Sequence, residues 1–238
     1  MILSAHQPTY CGYLGTFHKM DAADVWVDWD AVQAEDSGFE NRTRILGRDG
    51  RVFWLTVPAH KRRAKVIRDI EVVQNGWQRK HWRTIQNAYI LAPCWEEHAP
   101  FLEQFYMTEH WKWLHDLDGT FRTYVASCLG TSKPTRTQTG LDLEKSESPT
   151  GDIVRACEAL GADSYLFGPQ GRRYADLTLM RTCGIKDLHQ KYEPVAYPQG
   201  RVTWPRFEPN LWPLDALMWL GREEARKVML AGGTVVAA

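Results

Sequence analysis

The sequence predicts an α/β protein with a mostly parallel or mixed central sheet, helices flanking it and a C-terminal helical segment. Three observations carry this. Short apolar or alternating runs recur between longer stretches of helical periodicity. Glycine- and proline-bearing turns separate them. The 238 residues, 44% of them hydrophobic, suffice for one large core, and 29 basic against 29 acidic side chains is an ordinary globular balance. Composition excludes disorder, a coiled coil and a collagen-like chain. We read residues 1–238 as a single domain, with the Ser-, Thr- and Lys-rich residues 130–149 as a candidate flexible connector.

The first strand is expected at residues 2–5 and ends before His6-Gln7-Pro8, because proline disfavours helix at the residue before it. Residues 14–22 read as a short helix. Residues 24–30 alternate with period two and read as a strand, with Asp24, Asp28 and Asp30 on one face and Val25, Val27 and Trp29 on the other. Residues 44–46 and 52–57 form an expected hairpin around Arg48-Asp49-Gly50, and 66–73 is a further strand candidate. Helices are expected at 77–91 and 100–129, where apolar periodicity is long and breakers are few. The next helix, 150–160, has Asp152 in its first turn and Gly161 after its end. A strand at 164–167, a helix at 174–183 stopped by Gly184 and a strand at 187–192 follow. A long loop carries Pro194, Pro198, Pro205, Pro209 and Pro213. Residues 214–230 close the chain as a helix, and 232–238 read as a loose tail.

No run reaches the ~20 apolar residues of a membrane helix. The start, Met1-Ile2-Leu3-Ser4-Ala5-His6, lacks the basic and apolar regions of a signal peptide. The expected compartment is the cytoplasm, without a membrane partner. Cys11, Cys94, Cys128, Cys157 and Cys183 are dispersed without a CxxC pair, which argues against a disulfide framework or a zinc ribbon. Eleven Trp are many for this length. An indole is hard to bury completely, so some rings should line a cleft or recognition surface.

Charge is balanced only globally. Residues 1–41 hold one base against seven acids, a net of −6; residues 42–83 hold twelve bases against three acids, a net of +9. The bases are Arg42, Arg44, Arg48, Arg51, Lys61, Arg62, Arg63, Lys65, Arg68, Arg79, Lys80 and Arg83. Such a block attracts phosphates, or else neutralises its acidic neighbour in the fold. Arg42 and Arg44 alternate and would share one strand face. Trp77 and Trp82 bracket Arg79, Lys80 and His81, and aromatics beside cations suit bases or sugars next to phosphates.

The opening segment carries most of the candidate chemistry. A strand ending in His6-Gln7-Pro8, a glycine-containing loop and a helix bearing Lys19 place polar groups at a strand's carboxyl end, where open α/β sheets bind ligands. His6 is a candidate general base or donor to developing negative charge, against the plainer role of a structural histidine bonded to a loop carbonyl. Asp28 and Asp30 could raise one another's pKa or hold a divalent cation, or form an acidic edge against the basic block. That cation is the one cofactor the residues leave open; no metal-ligand motif is present. Gly168-Pro169-Gln170-Gly171 followed by Arg172 and Arg173 could bring backbone N–H groups to an anion, or be a plain turn. No nucleophile elbow occurs, and Cys11 is the one cysteine placed near His6.

The chain resembles the WbqC-like protein family. The resemblance rests on His6-Gln7-Pro8-Thr9-Tyr10, Leu14-Gly15-Thr16-Phe17-His18-Lys19, Asp30-Ala31-Val32-Gln33, Asn41-Arg42-Thr43-Arg44-Ile45, Trp54-Leu55-Thr56-Val57-Pro58, Lys80-His81-Trp82, Ser164-Tyr165-Leu166-Phe167-Gly168, Tyr174, Tyr197-Pro198-Gln199 and Phe207-Glu208-Pro209-Asn210-Leu211 with Asp215, in that order. Trp212-Pro213 and His18 depart from the family's usual residues. The resemblance implies an enzyme of glycan, especially O-antigen, biosynthesis. Alternatively it implies a relative of bacteriophage amino acid:DNA transferases, which join an amino acid's amine to pyrophosphorylated 5-hydroxymethyluracil with loss of pyrophosphate.

Three functions stay open. In the first, an amino acid:DNA transferase, the partners are modified DNA and a free amino acid. His6, Asp30 and Lys19 are the catalytic candidates. Gln7, Tyr10, Gln33, Asn41, Arg42, Arg44, Lys80, His81, Tyr165, Tyr174 and Gln199 are the substrate or phosphate ligands. Trp54 and Trp212 are the rings for a flipped base. The second is a transferase acting on a diphosphate-linked sugar, which would use the same cations. The third is a non-catalytic nucleic-acid-binding accessory protein, which needs the basic block but no acid–base pair.

Overall fold

The computed structural model describes residues 1–35, 38–60, 66–143, 145–200 and 207–237. Lys61, Arg62, Arg63 and Lys65 of the basic block, with Asp36 and Pro205, lie outside the described residues. Six strands form one sheet in the order β5-β2-β1-β6-β7-β8. They are β1 (Ile2–His6), β2 (Val25–Asp28), β5 (Thr135–Thr137), β6 (Ser164–Phe167), β7 (Lys186–Tyr192) and β8 (Gly233–Ala237). All pair in parallel except β8, which runs antiparallel to β7. A separate antiparallel ribbon pairs β3 (Arg42–Leu46) with β4 (Val52–Thr56), as the hairpin pattern predicts. The helices are α1 (Leu14–Asp21), α2 (Trp77–Tyr89), α3 (Trp95–Glu103), α4 (Leu114–Leu129), α5 (Pro149–Leu160), α6 (Leu177–Thr182) and α7 (Pro213–Ala231).

Strand alternation divides the apolar side chains between two cores. Leu3, Ala5 and Val27 join Tyr165, Phe167 and the α5 residues Ile153, Val154, Ala156 and Cys157 on one face. Trp26, the neighbour of Val27 in β2, enters the larger core on the other face, with Leu14, Phe17 and Met20 of α1 and the apolar stripes of α2, α4 and α7. A sheet buried on both faces needs near-continuous apolar strands, which is how β6, Ser-Tyr-Leu-Phe, reads. Helix α5 starts where Ser148 accepts from the Gly151 N–H and ends at Gly161 with φ 68°, a left-handed cap.

Four expectations are corrected. Residues 66–73 form a short 3₁₀ turn (Ile67–Asp69) flanked by isolated bridges, not a strand. Buried Ile67 and Ile70 are three apart, a helical spacing. The expected helix over 100–129 is two helices. A π-helical turn (Gln104–Thr108) ends the first, and the Trp111 indole N–H donates to the Phe105 carbonyl at 2.9 Å, folding residues 109–113 outward from the helical path. The connector 130–149 contains β5, paired to β2 at the sheet edge. The loose tail is β8, whose Thr234, Val235 and Val236 suit a strand. Helix α6 is shorter than expected, and β2 ends at Asp28, which leaves Asp30 beyond the strand. No described helix is long and apolar enough to cross a membrane.

Candidate functional site

The chain runs from β1 through α1 to β2 on one side of β1, whereas β6, reached through α5, lies on the other. The connections leaving adjacent strand ends therefore diverge between β1 and β6. This topological switch point is where open α/β sheets form a crevice at their carboxyl ends. At that place stand His6, the last residue of β1, Gln7 after it, Gly168 after β6, and Lys19, brought over from α1.

Lys19 is buried, 4% exposed, and its Nζ donates to the Ala5 carbonyl at 2.8 Å. It lies 5.4 Å from the centroid of the Trp26 ring. Burial pushes its ammonium down from 10.5 to about 7. A Cβ at Gly168 would sit 3.7 Å from Nζ, in ordinary van der Waals contact, so a side chain there would pack directly against the amine. His6 stacks parallel to Trp26, with 8° between the planes. Burial, then the neighbouring Lys19 charge, lowers its pKa to about 4, against the opposing hydrogen bond at the Gln7 carbonyl. The ring is therefore neutral near pH 7. His6 Nδ1 lies 2.7 Å from the Gln7 carbonyl oxygen, which can only accept. Nδ1 thus carries the hydrogen and Nε2 is left as an acceptor. Tyr165 is buried below, and its hydroxyl bonds the Ala5 backbone. The structure thus brings His6, Gln7 and Lys19 together, and places Tyr165 on the opposite, α5-facing side of the sheet.

The remaining candidates fall into separate groups. Arg42 lies 4.8 Å from the Trp54 ring centroid and 5.8 Å from that of Phe39. Trp54 and Phe39 are 48% and 53% exposed, so this part of the ribbon is an open aromatic–cation surface. Arg44 pairs with Glu208 and donates to the Pro209 carbonyl at 3.3 Å. Gln199 grips the Glu208 backbone with both ends of its amide, so Arg44 ties the 207–211 segment to the ribbon and Gln199 ties it to the loop after β7. Asn41 Nδ2 donates to the Val57 carbonyl at 2.8 Å. Tyr174 is exposed and packs its edge near Phe167, while Lys80 is exposed on α2.

Three assignments change: Tyr10 is fully buried with its hydroxyl between His81 and Tyr106, a core ring and not a substrate ligand, and His81 and Trp212 join it. His81 is buried among Tyr10, Trp77 and Tyr106, with Nδ1 3.1 Å from the Tyr10 hydroxyl. Burial lowers its pKa to about 4, so it offers no positive charge to a phosphate at neutral pH. Trp212 is fully buried; its indole N–H donates to the Tyr89 hydroxyl at 2.9 Å, so it is a core ring and not a base-stacking one. Asp30 is 3% exposed and lies beyond the end of β2, where its carboxylate accepts the Thr139 N–H at 2.9 Å and so ties it to the turn after β5. Asp28, its expected partner, instead pairs with Arg122 and accepts the Trp26 indole N–H at 3.0 Å. Among the described residues no three His, Cys, Asp or Glu side chains converge for a metal ion. Cys11 is buried at φ 69°, and burial with nearby Asp118 raises its thiol pKa, so it is no thiolate nucleophile.

A cavity of about 670 Å³ opens past the carboxyl ends of β2 and β5, against the start of α5. Trp29, Gln33, Arg68, Thr139, Lys145 and Ser148 are among its walls. Its wall residue Trp29 donates its backbone N–H to the His6 carbonyl at 2.8 Å, while its side chain packs on the α5 side of the sheet; the His6 and Lys19 side chains, on the Trp26 side, do not line the cavity. Of these residues the sequence reading had singled out only Gln33 as a ligand. Trp29 had read as the buried side of a strand, and Arg68 as one base in a long run. Arg122 stood in an apolar helical stretch, a setting that itself signals a buried partner.

Comparison with known proteins finds sequence similarity over most of the chain. The uncharacterized protein Rv1507c of Mycobacterium tuberculosis (strain ATCC 25618 / H37Rv) is 28% identical over 219 residues, covering 91% of this chain and 93% of its own. No solved structure matches. The model of the WbqC-like protein family matches residues 7–227, from the loop after β1 into α7. The match thus takes in Lys19, the ribbon, the cavity walls and Gly168, and the chain belongs to the WbqC-like protein family.

Proposed function

We propose that this protein is a transferase that joins the amine of a free amino acid to pyrophosphorylated 5-hydroxymethyluracil in phage DNA, with loss of pyrophosphate. The observation that carries the reading is Lys19, a buried amine with a pKa of about 7 beside neutral His6 at the switch point of the sheet. An amino acid's ammonium must lose a proton before it can attack carbon. A base poised near the working pH takes it best. His6 Nε2 is an acceptor that can orient the amine, while Lys19 takes the proton. The amine nitrogen then forms its bond to the exocyclic methylene carbon as the carbon–oxygen bond to pyrophosphate breaks. That electron pair leaves on the pyrophosphate oxygen, and the new secondary ammonium releases its second proton to solvent. The exposed Phe39–Arg42–Trp54 surface suits nucleic acid, since aromatic rings and arginine stack on bases regardless of sequence.

The test is incubation of pyrophosphorylated 5-hydroxymethyluracil DNA with each amino acid, followed by digestion and mass spectrometry. A new nucleoside is expected, and Lys19→Met should lower its rate by about 100-fold or more. No product with any amino acid overturns the reading. Strong thermal stabilisation by a nucleotide sugar but not by DNA transfers it to the glycan branch.

A further inference from the structure

We propose that the cavity beyond β2 and β5 is a nucleotide-binding site, with the ring lying against Trp29 and the phosphate on Arg68 and Lys145. As the seat of the reacting substrate it rests on the transferase reading; as a binding site it is tested without turnover.

Size is the first argument. At about 670 Å³ the cavity falls in the range of sites for whole small molecules, ~300–1,000 Å³, and is far larger than a single amino acid or a phosphate needs. Position is the second. The cavity lies at the carboxyl ends of the parallel strands β2 and β5, and its wall residue Trp29 is tied by its backbone N–H to the His6 carbonyl at the end of β1.

Chemistry is the third. Trp29, Val32 and Leu143 provide aromatic and apolar wall, and Trp29 is only part-buried, so a face is available to stack. Arg68 Nη1 donates to Thr139 Oγ1 at 2.9 Å, which holds the guanidinium at the wall. Its contact with Asp69, 3.8 Å between partners 42% and 58% exposed, is a weak surface pair. Other guanidinium N–H groups therefore stay available for phosphate oxygens. The start of α5, at Ser148 and Pro149, adds the positive end of a helix to the same wall. The acids matter too. The Asp152 carboxylate accepts the Ser146 N–H at 2.6 Å, while Asp142 and Glu147 stand exposed in the lining. Three acids beside two cations oppose a bare, multiply charged anion. They tolerate a ligand whose bulk is an uncharged ring and whose phosphate reaches Arg68.

Two sources could supply that chemistry: a nucleotide turned out of a DNA strand, or a nucleotide sugar. Isothermal titration of the full chain separates them, using 5-hydroxymethyl-2′-deoxyuridine monophosphate, UDP-glucose, inorganic phosphate and glycine as probes. One of the two nucleotides is expected to bind, and phosphate and glycine are not. Binding of the monophosphate alone assigns the strand source, binding of UDP-glucose alone assigns the sugar source, and either supports the site. Arg68→Ala and Trp29→Leu should each weaken binding by about tenfold or more. If Trp29→Leu melts early, Trp29→Phe, which keeps a ring, should bind within a few-fold of the parent. The inference is overturned if neither nucleotide binds, if phosphate binds as well as a nucleotide, or if Arg68→Ala binds like the parent. A nucleotide that binds but never yields product counts against the transferase reading and leaves the site standing.

Discussion

Lys19→Met should stabilise the protein in mild acid relative to base, by an amount the burial of Lys19 sets. The lysine titrates near 10.5 when unfolded and at about 7 in the native protein. The folded value is the lower one, so the native state prefers the neutral amine. The stability this group contributes is therefore present above 10.5 and is lost as pH falls through 7. Each pH unit in that window is worth about 1.4 kcal/mol, so descending from about pH 9 to about pH 6 removes roughly 3 kcal/mol, with the slope flattening below 7. At 4% exposure, solvent screening does little to reduce this. Methionine is of similar length and carries no charge. The variant loses the bond to the Ala5 carbonyl, worth about 1–3 kcal/mol, but that loss shifts the whole curve and not its slope. Urea denaturation of parent and variant at the two pH values measures the difference directly, because distant titrations occur in both and cancel. The parent should lose roughly 3 kcal/mol that the variant keeps. Parallel stability curves, within about 0.5 kcal/mol, would refute the buried, depressed amine and with it the proposed base.

Asp215 should show the opposite slope. It is fully buried, accepts from Tyr89 at 2.8 Å and Tyr197 at 2.9 Å, and burial raises its pKa from 3.8 to about 6. Its contribution is present below 3.8 and is lost as pH rises through 6. Asp215→Asn should therefore remove roughly 2–3 kcal/mol of pH dependence between about pH 4 and pH 7, read by denaturation at both. Trp212→Ala should cost about 3–5 kcal/mol and Trp54→Ala within about 1 kcal/mol, since one ring is core and the other half exposed; thermal melts compare them. Gly168→Val should leave the melting temperature unchanged while lowering the product rate, because the new side chain covers Lys19 Nζ; an unchanged rate would mean substrate does not approach from that side.

The parallel sheet was legible because its strands are short buried runs between capped helices. Asp152 in the first turn and Gly161 after the end mark α5 in the sequence, and the structure adds the Ser148 cap one residue before it. The pairing of β8 was not legible. Gly233 to Ala237 becomes a strand by completing the β7 edge, a partner that sequence distance conceals. The break at residues 109–113 follows from Trp111 bonding back to Phe105, a tertiary event inside an otherwise helical pattern. At the site, His6 and Lys19 were found by position, since the end of the first strand in such a sheet is a place for chemistry. Their states were not, because burial, not residue type, makes one neutral and brings the other to about 7.

The basic block shows why a run of charge is poor evidence for one pocket. A ribbon, a 3₁₀ turn and a helix share its residues, and each directs its cations differently. Arg44 is held by Glu208, and Arg42 lies across exposed rings. His81, within the same stretch, has lost its charge to burial, and among the block's described bases Arg68 alone reaches the cavity wall. Among the described residues, the block's Arg42, Arg44 and Arg68 thus serve a stacking surface, a loop clamp and a cavity wall. The division of labour has a testable corollary. Raising ionic strength should weaken DNA binding through the ribbon steeply, since that affinity is screened, while nucleotide binding in the cavity should fall much less. Equal salt sensitivity of the two would mean that a single charged surface, and not two sites, does the binding.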